Sequence, residues 1–204
     1  MKFRIVAWLI VGVALCGPAP AAAAAPIVEC IEAALPASTK GTIADNYRAL
    51  GLSGLDNLPL KEFVPPVVGK CASLISGSGR HKAEIIGGLL TAFMLKHGSE
   101  TVIVERHGVS KEALDAAWVS LTPEQRGLIS MRNNSKYPPA DAMTAFVTAA
   151  RPDFAKSTVE QVMKANDPDP TDPEAASIMR VASELMAYGI SRQWMEANSS
   201  ATLE

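Results

Sequence analysis

Beyond residue 25 the chain is written almost throughout in the three- and four-residue step of an α-helix, and no other feature constrains its fold as strongly. Apolar side chains at that spacing line one stripe of a helix, and the stripe can leave water only by packing on other helices. Gly, Pro and capping residues punctuate the stretches, and the alternation of a half-buried strand is scarce. The sequence therefore predicts an all-α fold. It reads as a single irregular multi-helix domain over residues 26–198, preceded by a cleaved signal peptide at 1–25 and followed by a frayed tail at 199–204.

Residues 26–35 and 42–50 read as short helices, the second closed by Gly51. A loop rich in Gly, Pro and Asn then runs to Pro59, and the Pro65-Pro66 pair breaks the chain ahead of a helix over 66–75. Residues 80–96 form the central helix, because Ile86, Leu89, Leu90, Phe93 and His97 fall on one face. Gly87 and Gly88 weaken it by about 1 kcal/mol each relative to alanine, which is easier to understand if another helix approaches closely there. His97-Gly98 and His107-Gly108 both look like helix ends. Between them, residues 101–105 have the composition of a strand but helical neighbours on both sides.

From Ser110 the signals sharpen. Ser110 caps a helix reaching residue 120 that buries Leu114, Ala117 and Trp118. Thr122-Pro123-Glu124-Gln125 joins a cap, a first-turn proline and a glutamine placed to reach back. Helices follow over 138–150 and 157–165. Thr171-Asp172-Pro173-Glu174 opens the longest, which runs to about residue 197 with Ile178, Ala182, Leu185 and Gly189 on one stripe and Met179, Met186 and Ile190 on a second. Leu121-Thr122-Pro123-Glu124-Gln125 also resembles the Leu-Thr-x-x-Gln pattern of periplasmic helical stress chaperones. The likeness covers these residues alone, and those chaperones carry the pattern twice and are richer in charge.

The N-terminus has the order of an export signal: Lys2 and Arg4, an unbroken apolar run over 5–15, then small residues over 19–25. The apolar run is about half of the roughly 20 residues that span a bilayer, which disfavours a permanent anchor. Cleavage is expected within 21–25, and not directly before Pro26, where proline hinders a protease that grips extended backbone. Lipidation at Cys16 is the competing reading, and Leu15 stands where it wants a small side chain. The alanine-rich leader points to a bacterium, and the protein is read as exported, periplasmic or secreted.

Without residues 1–25 the 19 basic residues become 17 against 21 acidic ones, a formal charge of −4. No Lys/Arg stripe of the kind that replaces counterions on phosphates is present, so nucleic acid is discarded as a partner. The longest apolar run left, 85–95, is too short for a membrane span and is interrupted by Gly87, Gly88 and Thr91. Two cysteines remain, Cys30 and Cys71. In an oxidising compartment they are expected to pair, closing a loop that stabilises the fold by roughly 4 kcal/mol in the chain-entropy model; the alternative is two separate buried thiols.

Two groups could hold a metal ion. Asp167, Asp169, Asp172 and Glu174 are carboxylates spaced by prolines, suited to a hard divalent or trivalent cation; Asp167 and Asp169 sit as in an EF-hand loop, but Asp172 then stands where glycine belongs. The simpler reading is an acidic loop whose Asp172 and Glu174 face the positive end of the long helix. His97, Glu100, Glu105 and His107 form the second group, nitrogen and oxygen ligands within one short region. Their competing reading is histidines placed at helix C-termini, where their charge suits the dipole. No cofactor is predicted beyond such an ion.

Ser76-Gly77-Ser78-Gly79 lacks the strand and spacing of a nucleophile elbow and reads as a turn between helices. Six of the seven methionines beyond Met1 lie from Met131 onward, and their helical spacing argues for core packing over copper ligation. The functional expectation is a non-catalytic module that binds a small ligand, a metal ion or another protein through a groove between helices. The alternative is a small cell-envelope hydrolase whose site comes from separate segments.

Overall fold

The structure, a computed structural model, describes residues 26–56, 58–130, 139–165 and 171–200. The expected signal segment, Asp167, Asp169, Met131 and residues 201–204 lie outside them. Ten α-helices and no strand are found among the described residues. In chain order they are α1 (Pro26–Ala34), α2 (Ala37–Leu50), α3 (Leu52–Leu55), α4 (Leu60–Cys71), α5 (Gly79–His107), α6 (Lys111–Ser120), α7 (Pro123–Ser130), α8 (Ala140–Ala150), α9 (Lys156–Lys164) and α10 (Pro173–Ser200). The all-α expectation holds; α2 begins at Ala37 rather than 42, and three larger corrections follow.

The first correction is that residues 51–59, read as a loop, contain α3. The second is that helix does not wait for Pro66: α4 starts at Leu60 and carries Pro65 and Pro66 inside it, ending in a 3₁₀ turn at Ala72–Leu74. The two prolines remove only the N–H groups that would reach back to Lys61 and Glu62, and buried Val67 and Cys71 hold the helix to the core beyond them.

The third correction concerns residues 97–105, where a helix end and a strand-like stretch were read. α5 runs through both as one helix of 29 residues. Gly98 is not a cap: a Cβ there would lie 2.7 Å from the Tyr47 side chain, so the glycine lets α2 approach. Val102 and Ile103 are fully buried, and tertiary packing overrides their strand propensity. The true end is Gly108, at φ 66 in the left-handed region that glycine adopts freely. At Gly88 an added Cβ would run into the Trp194 ring of α10, which is the close approach that the glycine pair suggested; Gly87 meets no such neighbour.

Caps in the second half form as read. Ser110 Oγ accepts from Ala113 N–H at 3.2 Å. Gln125 N–H donates to Thr122 Oγ1 at 3.2 Å while Thr122 N–H donates to Gln125 Oε1 at 2.9 Å, a reciprocal capping box.

The helices bury two main cores. One gathers Ile27 and Ile31 of α1, Ile43 of α2, Val67 and Cys71 of α4, Ile86, Leu89 and Leu90 of α5, and Met195 of α10. The other gathers Ile103 of α5 with Leu114, Trp118, Ile129, Phe146, Val159, Ile178, Leu185 and Tyr188 from α6 to α10. The two longest helices, α5 and α10, pack along each other and contribute to both. Between the cores, Tyr47, Val102 and Ala187 form a small bridge, and the Tyr47 hydroxyl donates to Glu184 Oε2 at 2.7 Å.

Candidate functional site

α1 stops at Ala34 and α2 starts at Ala37, so the chain turns a corner at Leu35-Pro36. Pro36 is extended, at φ −60 and ψ 151, and its carbonyl accepts from Lys40 N–H at 3.1 Å. Opposite this corner lies one face of α4, where Glu62, Phe63, Pro66 and Lys70 follow at helical steps. Between them opens a cavity of about 310 Å³, with Ala34, Leu35, Pro36 and Thr39 on one wall and the four α4 residues on the other. Its walls are largely apolar, and it is charged only at Glu62 and Lys70, both exposed at the rim. A disulfide between Cys30 and Cys71, with Cα atoms 5.9 Å apart, ties α1 to the end of α4 and so joins the two walls.

A second polar grouping lies where α5, α6, α7 and α10 meet. Glu100, only 5% exposed, is bridged by Lys96 on its own helix and by Lys111 of α6 at 2.7 Å. Burial pushes its carboxyl up, but the two lysines outweigh that and hold it below the ordinary carboxylate range. Nearby, the Tyr188 hydroxyl donates to Asp115 Oδ1 at 2.6 Å, and Arg192 pairs with the same oxygen. Burial, aided by Asp115, raises the Tyr188 hydroxyl far above its usual value. Trp118 Nε1–H donates to Glu196 Oε1 at 2.9 Å, and the Arg126 guanidinium lies over the Trp118 ring. These charges face one another, and the arrangement clamps α6 and α7 onto α5 and α10.

The residues singled out from sequence fall as follows. His97, Glu100, Glu105 and His107 all lie on α5, and the unbroken helix spreads the first from the last by about 15 Å of axial rise. His97 stacks on Phe93 with ring centroids 5.9 Å apart, and burial lowers its pKa. Glu105 receives a two-pronged pair from Arg48, both contacts 2.8 Å. Burial and then Arg151 lower the pKa of His107, whose carbonyl accepts from Arg151. In the acidic segment, Asp172 Oδ1 accepts from the N–H groups of Glu174 at 2.9 Å and Ala175 at 3.2 Å, the cap of α10. Among the described residues no three His, Cys, Asp or Glu side chains gather as a metal site would require.

Ser78 of the Ser-Gly-Ser-Gly turn caps α5, accepting from His81 N–H at 3.3 Å. Met143 and Met195 are buried, while Met163, Met179 and Met186 are partly buried against the second core. The cleft residues Leu35, Thr39, Phe63 and Lys70 were not anticipated. Thr39 lies in the first turn of α2, which starts at Ala37, ahead of the 42–50 reading, and on α4 the reading of Pro65-Pro66 as a break leaves residues 60–64 outside any helix and conceals the shared face of Glu62, Phe63 and Pro66. The chain matches no family model, no curated protein and no solved structure.

Proposed function

We propose that the chain is exported, loses residues 1–25 and works outside the cytoplasm, in the periplasm or beyond the cell, as a non-catalytic binding protein whose ligand occupies the cleft between the α1–α2 corner and α4. The observation that carries this reading is the cleft itself: largely apolar walls with a few polar groups at the rim are the usual form of a ligand site. The Cys30–Cys71 bond supports it twice, by fixing one wall to the other and by suiting an oxidising compartment. No helix among the described residues is long and apolar enough to cross a membrane. The Glu100 and Tyr188 groupings serve as scaffold, since their charges are directed at partners within the fold.

Nuclear magnetic resonance of the purified mature protein with a library of small organic fragments tests the reading. Shifts should concentrate at Leu35, Thr39, Phe63 and Lys70 and vanish in Phe63→Asp. Shifts centred on Asp115 and Tyr188 instead, or none from any fragment, would defeat the cleft and return weight to the hydrolase alternative.

A further inference from the structure

Resting on that binding reading, we propose that the cleft takes a short peptide with free termini and apolar side chains, three or four residues long, with its ammonium end at Glu62 and its carboxylate at Lys70. Length comes first. Glu62 and Lys70 are eight positions apart on α4, about 12 Å of axial rise at 1.5 Å per residue. An extended chain covers about 3.3–3.6 Å per residue, so three or four residues reach from one charge to the other.

The chemistry along that path is ordered. Phe63 and Pro66 on α4 face Leu35 and Pro36 across the cleft, which suits apolar side chains. At one end the exposed Glu62 offers its carboxylate to a cation. Such a carboxylate calls for an N–H-rich cation, which a peptide's amino terminus is. Lys70 at the far end offers a cation to a carboxylate. A fatty acid would leave the Glu62 carboxylate unmet, and a polyamine would meet repulsion at Lys70.

The test uses the protein purified after export, with four probes: Ala-Leu-Ala with free termini, its N-acetylated form, its C-terminal amide, and octanoate. Dissociation constants are read from shifts of the cleft resonances. Because the rim charges are exposed, blocking either terminus should weaken binding by about fivefold. In Glu62→Gln the free and acetylated peptides should become equal, and in Lys70→Met the free and amidated peptides should. Both substitutions lie at exposed positions outside the core. Equal affinity for the three peptides in the unaltered protein, or octanoate binding tighter than the free tripeptide, would sink the peptide assignment while leaving a binding cleft. Failure of these probes and of every fragment to shift cleft resonances would sink both.

Discussion

The core around α1, α4 and the first half of α5 is closed by a covalent bond and includes a helix that carries two prolines, whereas the core around α6 to α10 is closed by ion pairs and by helices of which α6, α7 and α10 start on side-chain caps. The second is the denser aromatic assembly, with Trp118 and Phe146 centroids 5.6 Å apart and Phe146 and Tyr188 centroids 6.4 Å apart. Regular helices with continuous stripes close on one another face to face. A helix holding two successive prolines beside a proline corner does not, and the gap that remains is the cleft.

The largest effects should separate the two cores. Trp118→Ala removes a fully buried ring and should destabilise the fold by roughly 3–5 kcal/mol, while replacing Cys30 and Cys71 by alanine should cost about 4 kcal/mol through the freed unfolded chain. Denaturant titration gives both values. The comparison breaks if the cysteine pair can be removed without measurable loss.

Acidification should act along α5, which borders both cores. His97 and His107 titrate below the ordinary 6.5 in the folded state, so the unfolded chain takes up protons first, and stability falls as pH drops below that value. Glu100 titrates below the ordinary 4.5, so its contribution is complete above that value and is lost as pH falls through its folded value. Unfolding midpoints measured across this range should decline steadily, and Glu100→Gln should flatten the part below 4.5. A midpoint independent of pH would show that the Lys96–Glu100–Lys111 grouping contributes nothing. The smallest effect is Thr122→Ala, which opens the capping box of α7 and should cost about 1 kcal/mol by the same titration, with the cleft resonances unmoved.

The two cores also differ in how far they could be read beforehand. α6, α7 and α10 were legible because their starts carry local chemistry, Ser110, Thr122 with Gln125, and Asp172, whose hydrogen bonds lie within three residues. The continuity of α5 was not legible. Gly98 has the local look of a cap, and only Tyr47, about fifty positions away in sequence, explains it. The cleft was hidden for the same reason: its walls come from α1, α2 and α4, and its α4 face exists only once helix is allowed through Pro65 and Pro66. Hydrogen bonds of short range can be read from sequence, while a surface shared by distant segments cannot.

Amide hydrogen exchange on the Cys30→Ala/Cys71→Ala variant, set beside the unaltered protein, tests the contrast most directly. Protection should fall in α1 and α4, the helices flanking the cleft, and stay unchanged in α6, α8 and the first half of α10. A loss spread evenly over all of these, or one confined to α6 and α8, would contradict the division of labour between bond and caps.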